Sequence, residues 1–175
     1  MKPHALVVGG TGMLAEAVSG LAGRGYQVSV LARRPERLSS ADINPIALDY
    51  RDSKKLRAGL AEAVSKFGPI SLAVVWIHGT APEAPYIVAE YVQGRYFHVL
   101  GSAFADPNRL DDERQKRFAQ FEHTDYREVI LGFVIEQAGA RWLTNGEISE
   151  GVLKAIRTDA RRFIVGVVEP WSARP

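Results

Sequence analysis

Ala5-Leu6-Val7-Val8-Gly9-Gly10-Thr11-Gly12-Met13-Leu14-Ala15 is the stretch of sequence that decides the fold. Its first four residues form an uninterrupted apolar run, as expected of a strand buried on both faces of a sheet. Three glycines lie in the next four positions, and apolar residues then recur at helical spacing from Met13 to Ala22. The stretch therefore predicts a strand, a tight glycine turn and a helix, which together begin a parallel α/β sheet.

The glycine turn also predicts a ligand. It reads as G-x-G-x-x-A through Gly10, Gly12 and Ala15, or as G-x-x-G-x-x-A starting at Gly9. In either reading, backbone without side chains lets a pyrophosphate approach, and the helix N-terminus offers free N–H groups. We expect the pyrophosphate of a dinucleotide to bind at Gly9, Gly10, Thr11, Gly12, Met13 and Leu14. The alternative is a glycine-rich turn with a purely structural role.

The end of the second predicted strand indicates which dinucleotide binds. A site for NAD usually carries an acidic residue there, which binds the ribose 2′-hydroxyl. This sequence has Arg33 and Arg34 after Ala32 instead. Because a guanidinium is suited to the 2′-phosphate, NADP is favoured over NAD as the cofactor. The alternative is that both arginines are solvated loop residues.

Apolar runs and helical patterns alternate along the rest of the chain. Further strands are predicted at 28–32, 43–48, 72–77, 96–100, 129–135 and 163–168. Helices are predicted around 56–67, where Asp52 or Ser53 is the cap, over 86–92 and 107–121, and around 148–156 after a capping box at Thr144–Glu147. The sequence therefore predicts an α/β doubly wound domain, spanning 1–175, with a mostly parallel Rossmann-type sheet of about six or seven strands.

The amino-acid composition limits which classes of binding partner and metal site we expect. The 175 residues include 22 basic and 20 acidic ones, giving a net charge of +2, so we expect no nucleic-acid partner. We expect no membrane segment, because no apolar run approaches the ~20 residues that one needs. Without cysteine, disulfides and thiolate metal ligands are excluded, which fits a cytoplasmic protein. The four histidines show no metal-binding spacing, so no metal is expected, and a homo-oligomer remains open.

A heavily charged run lies within the helix predicted over 107–121. Its pattern is typical of a solvated helix face. The residues concerned are Asp111, Asp112, Glu113, Arg114, Lys116 and Arg117.

The residues described above resemble the short-chain dehydrogenase/reductase superfamily, particularly its extended and atypical branches. The glycine turn of those branches reads G-x-T-G-x-x-G or A, which matches Gly9 to Ala15. The resemblance covers about the first hundred residues. It implies that Asp49 and Tyr50 lie near the adenine ring, and that His78 and Gly79 lie near the nicotinamide-side ribose.

The sequence departs from this family at the catalytic positions. The family uses a Tyr-x-x-x-Lys pair on the helix after the fifth strand, where the tyrosine exchanges a proton with the substrate. No tyrosine lies between Asp106 and Phe121. The pattern at 91–95 precedes the fifth strand and ends in arginine, and the one at 126–130 ends in isoleucine. The family's usual mechanism is therefore not supported by this sequence.

His78 and Ser102 are the candidate catalytic residues. His78 follows a predicted strand at the sheet edge where ligands bind, and Ser102 matches the position of the family's catalytic serine. We expect His98 to be a structural residue of the sheet, Trp76 to lie in the core, and His4 and His123 to lie at the surface. Two functions remain open: an NADP-dependent oxidoreductase that reduces a small carbonyl or imine by a non-standard mechanism, and a non-catalytic dinucleotide-binding regulator or redox sensor.

Overall fold

A parallel sheet forms the centre of the protein. The computed structural model describes residues 1–109 and 112–175, and in that part of the chain seven strands form this sheet. The described strands, two of which lie outside this sheet, are β1 (His4–Val8), β2 (Gln27–Ala32), β3 (Ile43–Ala47), β4 (Ile70–Val75), β5 (Val92–Gly101), β6 (Thr124–Leu131), β7 (Phe133–Glu136), β8 (Gly139–Trp142) and β9 (Arg162–Val165). The order across the sheet is β3-β2-β1-β4-β5-β6-β9, whereas β7 and β8 form a separate antiparallel hairpin.

Helices cover both faces of the sheet. They are α1 (Ala15–Gly23), α2 (Ser53–Phe67), α3 (Ala84–Ala89), α4 (Asp112–Phe118) and α5 (Asn145–Thr158). Apolar residues of α1 and α5 pack on one face with alternate strand residues such as Val7 and Val74. Apolar residues of α2, α3 and α4 pack on the other face with Leu6 and Ala73. The predicted doubly wound α/β fold is confirmed, because both faces of the parallel strands are buried.

The strand order places a crevice beside β1. After β1 the chain winds outward to β2 and β3, then crosses to β4 on the other side of β1. Helices that follow β1 and β4 therefore leave the sheet in opposite directions. In sheets of this kind, ligands bind outside the carboxyl ends of the strands at such a switch point.

The prediction of one strand over 129–135 is wrong. The chain breaks at Gly132, which separates β6 from the hairpin strand β7. A Cβ atom at Gly132 would lie 2.2 Å from the carbonyl oxygen of Val167, because the C-terminal segment packs directly on this backbone. The contact is long-range, so strand periodicity alone did not reveal the break.

Two helix boundaries also differ from prediction. Val92 begins β5 rather than ending the preceding helix, which stops at Ala89. A 3-10 turn over Ser102–Ala105 follows β5, and α4 covers only Asp112–Phe118 of the predicted 107–121. Leu110 and Asp111 lie outside the described residues, as does the side chain of Asp112.

His4 is buried, which corrects its expected place at the surface. It is the first residue of β1, one position earlier than the strand was predicted to begin. Its Nδ1 lies 2.8 Å from the carbonyl oxygen of Gly68, and its Nε2 lies 2.8 Å from Ser29 Oγ. Burial lowers the pKa of the imidazole below its usual 6.5. His98 is buried within β5, as expected, and His123 is exposed, as expected.

Arg114 corrects the expectation of a fully solvated face on α4. Its side chain is only 11% exposed and forms an ion pair with Glu128 of β6, which is 3% exposed. Arg114 Nε also donates to Tyr126 Oη at 3.1 Å. α4 lies against β6 here. Arg114, which the sequence pattern predicts to be solvated, therefore pairs with the buried Glu128 of another element.

None of the helices in residues 1–109 and 112–175 is long and apolar enough to cross a membrane.

Candidate functional site

A groove of about 680 Å³ lies at the carboxyl ends of β1, β2 and β4. Its position is the switch point that the strand order creates. Residues predicted separately from three parts of the sequence meet there. The groove is lined by Gly9, Thr11, Gly12, Met13, Ala32, Arg33, Arg34, Tyr50, Trp76 and His78.

The three glycines of the turn have different surroundings. Gly9 has a positive φ of 79°, and a Cβ there would lie 2.7 Å from the carbonyl oxygen of Trp76. A Cβ at Gly10 would lie 3.0 Å from a methyl group of Val7, so this glycine packs inward. A Cβ at Gly12 would meet nothing within 4 Å. Gly9 and Gly10 therefore shape the turn, whereas Gly12 leaves open space on the groove side, where a phosphate could lie against backbone.

The N-terminus of α1 meets this turn without a side-chain cap of its own. Leu14, the capping residue, is fully buried beneath the turn and makes no side-chain cap bond. The N–H of Ala15 donates to the carbonyl oxygen of Gly12 at 3.1 Å. Free N–H groups and the positive end of the helix dipole suit this end of α1 to an anion.

Ser149 of α5 holds the turn from behind, a role that the sequence did not predict. Its hydroxyl donates to the carbonyl oxygen of Met13 at 2.7 Å and accepts from the N–H of Ala17 at 3.2 Å. Ser149 is separated from Ala17 by 132 positions, so no local pattern signals this contact. Its one signal in sequence is a polar residue beside Ile148, on the apolar side of a predicted helix.

Arg33 and Arg34 are exposed and line the groove directly after β2. Among the described residues, neither guanidinium has a carboxylate within ion-pair distance. Arg51, which lies close by in sequence after β3, is by contrast paired with Asp49. Two guanidinium groups without an ion-pair partner in the described part of the chain therefore line the same groove as the glycine turn.

Asp49 and Tyr50 lie beside the groove, in an adjoining pocket of about 290 Å³ that Arg33, Arg51, His78 and Thr80 also line. Arg51 Nε lies 3.0 Å from each oxygen of the Asp49 carboxylate, and the Arg51 N–H donates to Oδ1 at 3.0 Å. Side-chain hydrogen bonding by Arg51 is the main reason that the pKa of Asp49 falls to about 2. The sequence pattern predicted a role for Asp49 but not for Arg51. Arg51 keeps the Asp49 carboxylate ionised and is hydrogen-bonded to both of its oxygens.

His78 is exposed at the groove, just beyond the end of β4. Its backbone N–H donates to Tyr50 Oη at 3.3 Å, and its ring lies edge-on to Trp76 at 5.6 Å between centroids. Trp76 packs on the core, as expected, and also lines the groove. Gly79 is exposed next to His78 but does not line the groove.

Ser102 lies away from the groove lining. It is 4% exposed, in the turn that follows β5, and its Oγ accepts from Arg174 Nε at 2.8 Å. The structure thus brings His78 to the open groove and places the Ser102 hydroxyl against the C-terminal segment.

Within the described ranges, 1–109 and 112–175, no group of three acidic or histidine side chains is arranged to hold a metal ion.

Comparisons with known proteins show the fold family. No protein-family model matches the sequence, and no curated protein matches it either. Solved structures do match over nearly the whole chain. A double mutant of a short-chain dehydrogenase/reductase from Serratia marcescens has a TM-score of 0.66 at 19% identity, over 94% of this chain and 96% of that one.

Two further matches were solved with a nucleotide. A metagenomic short-chain oxidoreductase in complex with NADP has a TM-score of 0.65 at 17% identity, over 94% of this chain and 95% of that one. The protein ElxO, with NADP bound, has a TM-score of 0.68 at 13% identity, over 95% of this chain and 98% of that one. At these sequence identities, the structural similarity shows the fold alone. This chain therefore has the fold of the short-chain dehydrogenase/reductases.

Proposed function

We propose that the protein binds NADP(H) in the groove and uses it to reduce a small carbonyl or imine substrate. The observation that carries the proposal is that an open glycine turn and two arginines, neither ion-paired within residues 1–109 and 112–175, line one groove. Gly12 supports it, because a Cβ there would project into space that the free protein leaves empty. NADP in two structures of the same fold supports it as well.

Each part of the groove has a role in this proposal. Gly9 to Leu14 and the N-terminus of α1 bind the pyrophosphate through backbone N–H groups. Arg33 or Arg34 binds the 2′-phosphate through charge-assisted hydrogen bonds. Asp49 and Tyr50 lie on the adenine side, and His78, which borders both this pocket and the groove, leads with Gly79 toward the nicotinamide-side ribose.

The reaction needs a hydride and a proton. Bound NADPH would supply the hydride to the carbonyl or imine carbon and become NADP⁺, and the substrate oxygen or nitrogen would take up a proton. His78 is the proposed proton donor, since its side chain is exposed at the groove and its backbone is held by Tyr50. Ser102 is a second candidate at the end of β5.

A non-catalytic dinucleotide-binding regulator or redox sensor is the alternative function. Two observations favour it. α4 reads Asp-Glu-Arg-Gln-Lys-Arg-Phe and so carries no tyrosine, and the Ser102 hydroxyl is bound to Arg174. Turnover of NADPH across a panel of aldehydes, ketones and imines distinguishes the two. NADPH binding without turnover of any panel member would favour the sensor.

Calorimetric titration with NADPH and with NADH tests the cofactor site. We expect NADPH to bind more tightly than NADH. Replacing both arginines, Arg33→Ala with Arg34→Ala, should weaken NADPH binding about tenfold to a hundredfold, because charge-assisted hydrogen bonds contribute about 1.5–3 kcal/mol. NADH binding should change little, since NADH has no 2′-phosphate.

Two further variants control this titration. Arg37→Ala removes an exposed arginine outside the groove lining and should leave both affinities unchanged. Gly12→Val adds a side chain whose Cβ would meet nothing within 4 Å in the free protein, and it should abolish binding of both nucleotides by keeping the phosphates from the backbone of the turn. If neither nucleotide binds the wild type, the glycine turn is structural and both functions are refuted.

A further inference from the structure

The guanidinium of Arg174 joins three separate segments beyond the carboxyl end of β5. Its Nε donates to Ser102 Oγ at 2.8 Å, in the turn that follows β5. Its central carbon lies 5.3 Å from the ring centre of Trp142, at the end of β8, and 5.2 Å from that of Trp171. These contacts fix the orientation of a side chain that is otherwise among the most flexible in proteins.

Arg174 has no acidic partner among residues 1–109 and 112–175. Arg141, on the nearby hairpin, shows the contrast, because it pairs with both Glu136 and Glu147. A guanidinium has five N–H donors, and the contact with Ser102 uses one of them. An oriented guanidinium with free donors matches a carboxylate, which it can bind through two parallel hydrogen bonds.

The surface beside Arg174 is apolar. In the register of the hairpin, Trp142 pairs with Phe133 and Ala140 with Ile135, so these four side chains share one face. On this face Trp142 is 48% exposed and Ile135 is 50% exposed, while Phe133 is buried; Arg141 and Glu136 belong to the opposite face of the hairpin. A ligand whose carboxylate meets Arg174 could therefore lay an apolar group on this face of the hairpin.

We infer that Arg174, supported by Ser102 and flanked by Trp142 and Trp171, binds the carboxylate of an organic acid with an apolar side chain. That this acid is the substrate rests on the proposed function. Ser102 follows β5, and β5 neighbours β4, whose end carries His78. The substrate class is then an oxo or imino acid, whose carbonyl or imine carbon accepts the hydride and whose carboxylate is held by Arg174.

Calorimetric titration without nucleotide tests this inference through unreactive probes. Hexanoate combines a carboxylate with an apolar chain, hexanamide removes the charge, and acetate removes the apolar chain. We expect hexanoate to bind at least tenfold more tightly than either of the others. Arg174→Gln should weaken hexanoate binding at least tenfold, and Arg174→Lys should weaken it less, because the lysine keeps the charge and loses the planar fork.

The matched control is Arg157→Gln, at an exposed arginine in the last turn of α5, which should leave hexanoate binding unchanged. Equal affinity for hexanoate and hexanamide, absent hexanoate binding, or equal loss in the Arg157 and Arg174 variants would each overturn the inference. NADPH binding without hexanoate binding would refute the acid site alone. Hexanoate binding without NADPH binding would refute the proposed function and leave an acid-binding site that serves another purpose.

Discussion

The single residue His98 has its imidazole surrounded by groups from three elements, β5, β6 and α4. From β6, Tyr126 Oη is 3.0 Å from its Nδ1, and Tyr126 also contacts Glu128. From α4, Arg114 donates hydrogen bonds to Tyr126 and Glu128, and the ring of Phe118 lies edge-on to the imidazole. Within β5, the ring of Tyr96 also lies edge-on to that of His98. Burial, and then the positive charge of Arg114, lower the pKa of His98 to about 3.

This shift predicts how stability depends on pH. The unfolded chain holds His98 at a pKa near 6.5, so between about 3 and 6.5 only the unfolded state binds the proton. The stabilisation is therefore complete above about pH 6.5 and is lost as pH falls, by up to about 1.4 kcal/mol per pH unit. Urea unfolding from pH 7 to pH 5 should show a shallower decline in the His98→Phe variant.

His123 provides the control for this measurement because its side chain is exposed. His123→Gln should leave the pH dependence of the wild type intact. An identical slope in the wild type and the His98→Phe variant would show that His98 does not link folding to protons over this range.

At the level of secondary-structure elements, a contact between α5 and α1 holds the glycine turn in place. Ser149 belongs to α5, yet its hydroxyl satisfies the N–H of Ala17 in the first turn of α1 and binds the carbonyl of Met13. α1 and α5 pack on the same face of the sheet. The end of α1 that faces the groove is thus capped from a helix far along the chain.

Removal of this hydroxyl should cost stability and affinity together. Ser149→Ala leaves a buried N–H and a carbonyl without their partner, so we expect a loss of about 1 kcal/mol in the free energy of unfolding. The less ordered turn should also weaken NADPH binding several-fold. Ser65→Ala, at an exposed position of α2, is the control and should change neither quantity. Unchanged unfolding of the Ser149 variant would refute the capping role.

The ion pair of Arg114 with Glu128 connects α4 to the sheet, and its effect belongs to the whole molecule. Gln115 Nε2 also donates to Glu128, at 3.2 Å, so the buried carboxylate is bound from two residues of α4. Arg114→Met should lower the free energy of unfolding by about 3–5 kcal/mol, because it leaves Glu128 charged and buried. That loss is a large part of the about 5–15 kcal/mol typical of a domain.

Chemical denaturation of three variants separates this effect from simple loss of charge. Combining Arg114→Met with Glu128→Leu should restore much of the stability, because an apolar pair replaces a buried ion pair at little net cost. Arg117→Met breaks an exposed pair with Glu83 and should cost less than about 1 kcal/mol. Similar losses for Arg114→Met and Arg117→Met would contradict the buried role of Arg114.

Local patterns in the sequence determined the sheet, its helices and the groove-forming turn. Apolar runs such as Leu72 to Val75 and the glycines after Val8 carry their information within a few neighbouring residues, where strand and turn preferences act. The place of His78 at the carboxyl end of β4 followed from the same reasoning, since parallel strands end at one edge. The capping box at Thr144 and Glu147 was also predicted from neighbouring residues alone, and both of its hydrogen bonds are present in the structure.

Only the tertiary structure decided which polar residues are buried and which segments meet. His4, Arg114 and Ser149 read as surface or neutral positions in sequence, yet each has a partner many positions away. The break at Gly132 and the contact of Ser102 with Arg174 depend on where the C-terminal segment returns to the sheet. A sequence records side-chain chemistry and short-range periodicity, whereas burial and pairing of charges depend on long-range packing, which brings distant residues within hydrogen-bond distance.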